Sequence, residues 1–276
     1  MATWEKIRKL FANVGFHAYK VLGLTTYIKM LFLLLCNTKK IIESGKIYFL
    51  DGSMNKITQP IKIRYNNKKY LFDLAYVDRK LNEGIYFTFG NIREIFILDC
   101  YLRHQPKEAF FNSKIVLDLG ANRGTFSVLM TPVAEKIICV EVQSRYKDII
   151  KYNMELNNFK NYAIESCFIG EGGLCTDLIL EDNKISLSDI IKKYDLHNID
   201  FAKIDIEGSE FALFESPDWL ELTKYISMEL HHEYGNVDAI LNPLKKYGFS
   251  YVLVDESFKT ISNATQAVHL YAARKS

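Results

Sequence analysis

The 276-residue sequence predicts an α/β protein organised around a parallel sheet. The first observation is that apolar, strand-like runs alternate with helix-compatible segments over residues 115–273. The second is the stretch 115–127, where three apolar residues lead into Asp118 and a turn that contains Gly120 and Gly124. A buried strand, a tight turn and a helix packed on the sheet give this pattern. Because such sheets bind ligands beyond the carboxyl ends of their strands, the turn is a candidate binding loop.

The alternation assigns the elements of a predicted domain over residues 91–276. After the strand at 115–117, strands are predicted at residues 137–141, 161–168, 201–206, 225–230, 250–254 and 267–273. Helices are predicted at residues 145–157, 185–194, 209–215 and 237–247. Ser186 or Ser188 is available to cap the second of these helices. Right-handed crossovers would place helices on both faces of the sheet.

Residues 1–90 form a predicted accessory region that begins with two helical segments. Apolar residues three and four positions apart over residues 3–22 predict an amphipathic helix. The apolar stretch 21–36, interrupted by Lys29, is shorter than the roughly 20 apolar residues of a membrane-spanning helix. Three interpretations stay open for it: a helix packed on the core, a peripheral membrane helix, and a dimer contact. The basic amphipathic segment beside it suits an anionic membrane surface.

A β-like pattern follows in the same region. Strands are predicted at residues 47–50, 61–65 and 70–76, with residues 66–69 as a hairpin turn between the last two. These strands would form a small antiparallel sheet that covers or gates a site. A helix predicted at residues 92–103 then leads to the candidate binding loop.

Formal charge is distributed unevenly along the chain, although the total is only +2. The first 46 residues contain eight Lys and Arg against two Glu, so the rest of the chain is net acidic. A basic front end that faces an anionic surface explains this asymmetry, and so does a solvated helix face. Five cysteines without a Cys-x-x-Cys pair indicate free thiols in a reducing compartment. We therefore expect a cytoplasmic protein, with peripheral membrane contact through residues 1–46 as an open alternative; the oligomeric state is open.

The spacing in the loop distinguishes between nucleotide cofactors. A dinucleotide fingerprint reads Gly-x-Gly-x-x-Gly, whereas Asn122 stands here where the middle glycine would be. Asp-x-Gly-x-x-x-Gly after a strand resembles the first motif of methyltransferases that use S-adenosylmethionine (SAM). Glu141, at the carboxyl end of the next predicted strand, can accept hydrogen bonds from two ribose hydroxyls. An ordinary strand–helix turn and a solvated acid are the alternatives at these positions.

Charged residues alternate along another predicted strand, at Lys203, Asp205 and Glu207. Charges in a central strand are costly to bury unless they are paired. One explanation is therefore an ion-pair network between strands, in which Lys203 meets Asp118 or Glu229. Asp205 lies at the carboxyl end of its strand, where it would face a bound cofactor and substrate.

Glu229 and His231 share a face of the following strand. His231 or His232 could take the proton of a substrate hydroxyl, and a hydrogen-bonded bystander is the alternative for either histidine. Asp205, Glu229 and His231 could also gather a divalent cation, since oxygen and imidazole ligands suit such ions. The spacing does not demand a cation, so no metal is predicted.

Together these motifs resemble the FkbM-type family of SAM-dependent methyltransferases. The resemblance rests on residues 118–124, Glu141, the helix segment 153–157, the run Lys-Ile-Asp-Ile-Glu-Gly at 203–208 and residues 229–231. It extends from about residue 93 to the C-terminus. It implies a Rossmann-like, seven-stranded methyltransferase fold and SAM as the cofactor. It also implies O-methylation of a hydroxyl on a sugar, glycan, glycolipid or related natural product such as a polyketide.

The resemblance also implies roles for individual residues. The methionine end of SAM would be held by Asp118, Gly120, Asn122 and Gly124. The ribose would be held by Glu141, and the adenine would be flanked by Ser166 and Cys167. The predicted catalytic residues are Asp205, His231 and Lys203.

Two features depart from the family pattern. Arg123 occupies a loop position that is usually apolar, and we expect it either to point to solvent or to reach toward the substrate. Residues 1–90 match no known pattern. RNA methylation is an alternative function, but the net acidic C-terminal domain has no aromatic-interleaved basic stripe, so no nucleic-acid partner is expected. A non-catalytic, methyltransferase-like subunit at a membrane is a second alternative, which the intact loop and Glu141 argue against.

Overall fold

A computed structural model of the chain describes residues 15–81, 88–169 and 184–274. It divides into two compact units, which are described separately. The N-terminal unit comprises Met1–Cys100 together with Lys151–Asn158, and the C-terminal unit comprises Tyr101–Ile150 and Phe159–Ser276. The domain boundary predicted between residues 90 and 91 stays a prediction.

The N-terminal unit begins with one long helix, α1 (Phe16–Ser44), which has a kink at Gly23, where φ is 69°. The predicted helix over residues 3–22 lies partly outside the described residues, and its last part forms the start of α1. Val21, Met30 and Ile41 lie on its buried face. The helix ends at Gly45, whose left-handed backbone lets its N–H bond the carbonyl of Ile41 at 2.8 Å.

By length and composition, one helix of the described residues could cross a membrane: His17–Ser44, which has 28 residues and contains an 18-residue window with a mean hydropathy of 1.5. The apolar stretch 21–36 is too short by itself, but the helix continues beyond it at both ends, so its length does not exclude a span.

The strand predicted at residues 47–50 is wrong, because these residues open a helix, α2 (Tyr48–Met54). A run of four apolar residues has no period that separates a strand from a helix turn. In the helix, Leu50 and Met54 lie four residues apart and are both buried. Asp51 is buried on the same helix and accepts two hydrogen bonds from the guanidinium of Arg93, each of 3.0 Å.

The predicted hairpin is confirmed as β1 (Ile61–Tyr65) paired antiparallel with β2 (Lys68–Phe72). Asn66 and Asn67 form its turn with φ of 44° and 63°, values that asparagine tolerates better than most residues. The second strand ends earlier than predicted, because helix α3 (Leu74–Leu81) begins there. The predicted helix at 92–103 is observed as α4 (Thr88–Ile92), which continues into a π-helical turn and ends earlier, at Ile97.

The described part of the C-terminal unit forms a sheet of eight strands in the order β5-β4-β3-β6-β7-β10-β8-β9. The strands are β3 (Ile115–Leu119), β4 (Lys136–Val140), β5 (Tyr162–Glu165), β6 (Ile199–Ile204), β7 (Thr223–Glu229), β8 (Phe249–Val254), β9 (Thr260–Ile261) and β10 (His269–Arg274). The pairs from β5 through β7 are parallel. The predicted Rossmann-like fold is confirmed. The wholly parallel sheet is not, because β10 runs antiparallel between β7 and β8, and the two-residue β9 adds an eighth strand.

The described helices that accompany these strands are α5 (Glu108–Phe111), α6 (Thr125–Met130), α7 (Lys147–Leu156), α8 (Leu187–Lys193), α9 (Glu210–Leu213) and α10 (Asp238–Lys246). Of these, α7 to α10 lie close to predicted helices, whereas no bounds are predicted for α5 and α6. Ser186 caps α8 in a reciprocal arrangement with Asp189, which confirms one of the two predicted caps. The chain leaves β3 toward β4 on one side and returns to β6 on the other. The carboxyl ends of these three strands therefore mark the switch point of the sheet.

Candidate active site

The loop after β3 is held tightly against its neighbours. The amides of Gly120 and Ala121 both donate to the carbonyl of Val140, at 2.9 Å. Gly120 has φ +78°, and a Cβ added there would lie 1.7 Å from the carbonyl oxygen of Asp205. Only glycine fits this position, because the backbone of the loop passes directly against the chain that leaves β6.

Glu141 closes the other side of the loop, just after β4. Its carboxylate accepts hydrogen bonds from the amide of Asn122 at 2.7 Å and from the amide of Gln143 at 2.9 Å. Burial of this side chain raises the pKa of Glu141 above its ordinary value, although the two amides oppose the shift. The carboxylate therefore fixes the turn and also lies where a ligand hydroxyl could reach it.

A pocket opens between the ends of β3, β4 and β6. It is lined by Gly120, Asn122, Val140, Glu141, Val142, Gln143, Cys167, Phe168, Ile169, Asp205, Ile206 and Glu207. Five of the predicted site residues are among them: Gly120, Asn122, Glu141, Cys167 and Asp205. The pocket has carboxylates that can accept hydrogen bonds from hydroxyl groups. It also has an apolar wall on which a flat ring can pack.

Lys203 and Asp118 lie beneath the pocket and do not line it. The Lys203 ammonium is 3.3 Å from Asp118 and 3.6 Å from Asp205, and it donates to the carbonyl of Gly120 at 2.5 Å. The predicted pairing of Lys203 with Asp118 is confirmed. Burial disfavours the charged ammonium, but the two carboxylates outweigh burial and raise the pKa of Lys203. These side chains therefore support the loop from below.

Two other predicted residues also lie away from the lining of the described pocket. Gly124 has φ +72° and packs against Ile150 of α7. Because glycine has no side chain, α6 can begin close to α7 at this point. Ser166 is half-buried beside Cys167, and only Cys167 reaches the pocket. The role of Ser166 at an adenine ring stays a prediction.

Asp205 faces the pocket with its charge stabilised from below. The hydroxyl of Tyr101 donates to its carboxylate at 2.7 Å, and the Lys203 ammonium lies 5.3 Å from the Tyr101 ring centre. Burial opposes ionisation, but Lys203 and Tyr101 outweigh it and hold the pKa of Asp205 below its ordinary value. Tyr101 is not predictable from the sequence, because it belongs to no motif and reaches Asp205 only through the fold.

His231 is oriented by a buried carboxylate. Its Nδ1 and its backbone amide both lie 2.9 Å from Oε1 of Glu210, a residue with no solvent exposure. Its Nε2 lies 3.5 Å from the carboxylate of Glu207. Burial alone would lower the pKa of His231, but Glu210 outweighs burial and raises it to about 9. Glu210 could have been suspected from the second acid of the run Glu-Gly-Ser-Glu at 207–210.

One group of side chains in the described residues has the composition of a metal site. Ligand atoms of Asp205, Glu207 and His231 all lie within 4.8 Å of one another. The sequence had suggested Glu229 as the third member. Glu229 instead ends β7 opposite His269 of β10, whereas Glu207 extends beyond the end of β6 with φ +53°.

Arg123 is buried, so the expectation that it points to solvent is wrong, and it does not line the described pocket. A contact with the substrate stays a prediction. The guanidinium of Arg123 lies 5.5 Å from the ring centre of Tyr146. Its Nη1 donates to the side-chain oxygen of Asn122 at 3.0 Å. A guanidinium on an aromatic face is a stable way to bury this charge, so Arg123 braces the loop from behind.

Comparison with known families agrees with the geometry. A family model described as the methyltransferase FkbM domain matches residues 179–251, about a quarter of the chain. The matched segment contains Lys203, Asp205, Glu210 and His231. The resemblance to the FkbM methyltransferases is confirmed over this segment. A match to a methyltransferase family model also supports the predicted cofactor, SAM.

Solved structures give a more distant likeness. A methyltransferase from Streptococcus mutans in complex with SAH has 14% identity and a TM-score of 0.42, over 61% of this chain and 94% of its own. An rRNA methylase from Streptococcus thermophilus has 12% identity and a TM-score of 0.42, over 61% and 90%. An FkbM methyltransferase from Methylobacillus flagellatus has 16% identity and a TM-score of 0.40, over 58% and 44%. No match was found among curated protein sequences. The FkbM family model and the site therefore support methyltransferase activity, and these structures add nothing on the substrate.

Proposed function

We propose that this chain transfers the methyl group of SAM to a hydroxyl oxygen of a sugar, glycan, glycolipid or related natural product. The observation that carries the proposal is the half-buried His231, held by the buried Glu210, close to Asp205 of the pocket lining. A hydroxyl has a high pKa, so its methylation requires a group that accepts its proton. An imidazole held by a buried carboxylate is suited to that task.

The pocket fits the parts of SAM. The close backbone at Gly120 and the amide side chain of Asn122 suit its zwitterionic end, and Glu141 suits the ribose hydroxyls. Cys167, Phe168 and neighbouring apolar groups offer a wall for the adenine. When bound, SAM supplies a methyl group activated by a positively charged sulfur.

In the proposed mechanism, the side chains around the pocket position the acceptor and remove its proton. Nδ1 of His231 donates to Glu210, which leaves Nε2 of the neutral imidazole to take the hydroxyl proton. The resulting imidazolium is stabilised by Glu210 and by Glu207. Asp205, fixed by Tyr101 and Lys203, can accept a hydrogen bond from the acceptor and hold its oxygen in line. Lys203 acts through Asp205 and the loop, so we assign it a positioning role.

A transfer assay with methyl-labelled SAM tests the proposal, with a panel of glycans, glycolipids, polyketide alcohols and RNA as acceptors. We expect label on a hydroxyl of one of the first three classes. His231→Ala should lower the transfer rate by about 10²–10⁴-fold, the usual contribution of a proton acceptor. His197→Ala is the matched control, because His197 is exposed.

Isothermal titration with SAM separates the two parts of the proposal. We expect His231→Ala to bind SAM as the parent protein does, since His231 does not line the described cofactor pocket. An absence of SAM binding by the parent would overturn the enzyme assignment. Label found on RNA alone would overturn the substrate class and leave the cofactor site standing.

A further inference from the structure

The N-terminal unit has an exposed apolar row along α1. Its members follow the kink at Gly23 and recur at helical spacing: Leu24, Ile28, Phe32, Leu35 and Ile42. Phe32 and Leu35 are 64% and 74% exposed, which is high for side chains of this size. Single exposed apolar residues are common, but a continuous row on one helix marks an interaction surface.

The opposite face of α1 is already occupied by protein. Met30, Leu34 and Ile41 are buried there, and the helix contacts α2 and β1 of the same unit. Asn37 donates to the hydroxyl of Ser53 in α2 at 2.9 Å. A helix with one packed, hydrogen-bonded face and one free apolar face suits a surface that it meets from one side. A membrane-spanning helix would instead offer lipid an apolar surface all round.

Basic residues accompany the apolar row. Lys29, Lys39 and Lys40 are exposed on α1 beside it or within it. A cleft of about 730 Å³ lies at the hairpin turn and the N-terminal end of α1. Its lining includes four basic side chains, Lys20, Arg64, Lys68 and Lys69, against one acid, Asp99, which accepts a hydrogen bond from Tyr65 at 2.8 Å. The charge of this unit is therefore complementary to an anionic surface.

We propose that α1 docks in the plane of an anionic phospholipid membrane. Leu24, Ile28, Phe32 and Leu35 enter the boundary between headgroups and acyl chains, while the lysines contact headgroup phosphates. The packed face of α1 keeps the rest of the unit on the aqueous side. This proposal does not depend on the methyl-transfer reaction.

Vesicle flotation of the full-length protein tests the docking. We expect binding to vesicles of phosphatidylcholine and phosphatidylglycerol (7:3) that is at least tenfold stronger than binding to phosphatidylcholine alone, and that weakens as salt is raised. The double variant Phe32→Ser, Leu35→Ser should reduce binding at least tenfold. Phe111→Ser is the matched control, because Phe111 is an exposed aromatic residue of the C-terminal unit, at 51%.

A charge-reversed pair tests the electrostatic part. Lys29→Glu with Lys39→Glu should lose most of the preference for anionic vesicles, whereas Lys192→Glu with Lys259→Glu, exposed in the C-terminal unit, should keep it. Circular dichroism confirms that each variant is folded. Unchanged flotation of the Phe32/Leu35 variant would overturn the proposal. Resistance to carbonate extraction would overturn it in favour of a spanning helix. If the protein does not bind vesicles but forms a dimer that is lost in the Phe32/Leu35 variant, the exposed apolar row is instead an interface between copies.

Discussion

Gly120 shows how strongly a single residue constrains the site. A side chain at this position meets two obstacles, a left-handed backbone and the carbonyl of Asp205 at 1.7 Å. Gly248 has nearly the same backbone, φ +79° against +78°, but an added Cβ there meets nothing within 4 Å. The two glycines therefore separate backbone strain from the contact with Asp205.

We expect Gly248→Ala to lower the free energy of unfolding by about 1–2 kcal/mol, the cost of a left-handed alanine. Gly120→Ala should cost roughly 1–3 kcal/mol more, because the loop and the chain after β6 must move apart. Gly120→Ala should also abolish SAM binding. Urea denaturation measures the stability of both variants, and isothermal titration measures their SAM binding. An equal loss of unfolding free energy in the two variants would show that the contact with Asp205 does not affect stability.

Glu141 predicts a pH dependence of cofactor binding. Its carboxylate must be ionised to accept two ribose hydrogen bonds, and its pKa is raised above 4.5 by burial. As pH falls, protonation begins at a higher pH than for an exposed glutamate. SAM affinity should therefore begin to weaken at a higher pH than it would with an exposed glutamate. Titration of Glu141→Gln supplies the control: its affinity should be lower at neutral pH and nearly independent of pH.

His231 predicts the pH dependence of the reaction. The neutral imidazole is the proton acceptor, and the pKa of His231 is raised to about 9, so most of the enzyme is protonated at pH 7. The value of kcat/KM should rise with pH up to about 9. Glu210→Gln removes the main cause of the raised pKa and should move this rise toward the ordinary histidine value of about 6.5. A profile that Glu210→Gln leaves in place would mean that another group titrates.

At the scale of elements, a buried ion pair joins two neighbouring strands of the sheet, β3 and β6. Lys203 of β6 pairs with Asp118 of β3, and both side chains are buried. Lys203→Met leaves Asp118 as an uncompensated buried charge, so the free energy of unfolding should fall by about 3–5 kcal/mol. Lys114→Met breaks an exposed pair with Glu135 and should leave the free energy of unfolding nearly unchanged. Chemical denaturation of both variants checks this, and similar losses would contradict a structural role for the buried pair.

Some elements are predictable from the sequence and others are not. The parallel strands β3 to β7 are predictable because strands of such sheets are near-continuous apolar runs. The antiparallel strands β8 and β10 are predictable as short apolar runs bounded by turn signals. The conformation of residues 47–50 is not predictable, since four apolar residues fit a strand and a helix turn equally. In the structure they open a helix in which Asp51 forms a buried ion pair with Arg93. Tyr101 could not be found from a motif, because 104 positions separate it from Asp205 in the sequence.

At the scale of the whole molecule, the uneven charge along the sequence corresponds to a difference in charge between the two units. The basic residues at the N-terminal end belong to the unit with the exposed apolar row, and the acids concentrate in the unit with the pocket. Composition indicated that the halves differ. It could not indicate that α1 leaves one face unpacked, because that depends on which residues α2 and β1 cover.

The buried position of Lys203 affects which form of the cofactor, the methyl donor or its product, the pocket binds more tightly. The lysine lies beneath the pocket, so the described lining presents three carboxylates, Glu141, Asp205 and Glu207, and no lysine or arginine. On the proposed function, such a site attracts a cationic methyl donor more than the uncharged thioether that remains after transfer. Added salt should therefore narrow the difference between the dissociation constants of the two compounds. The enzyme would be weakly inhibited by its own product.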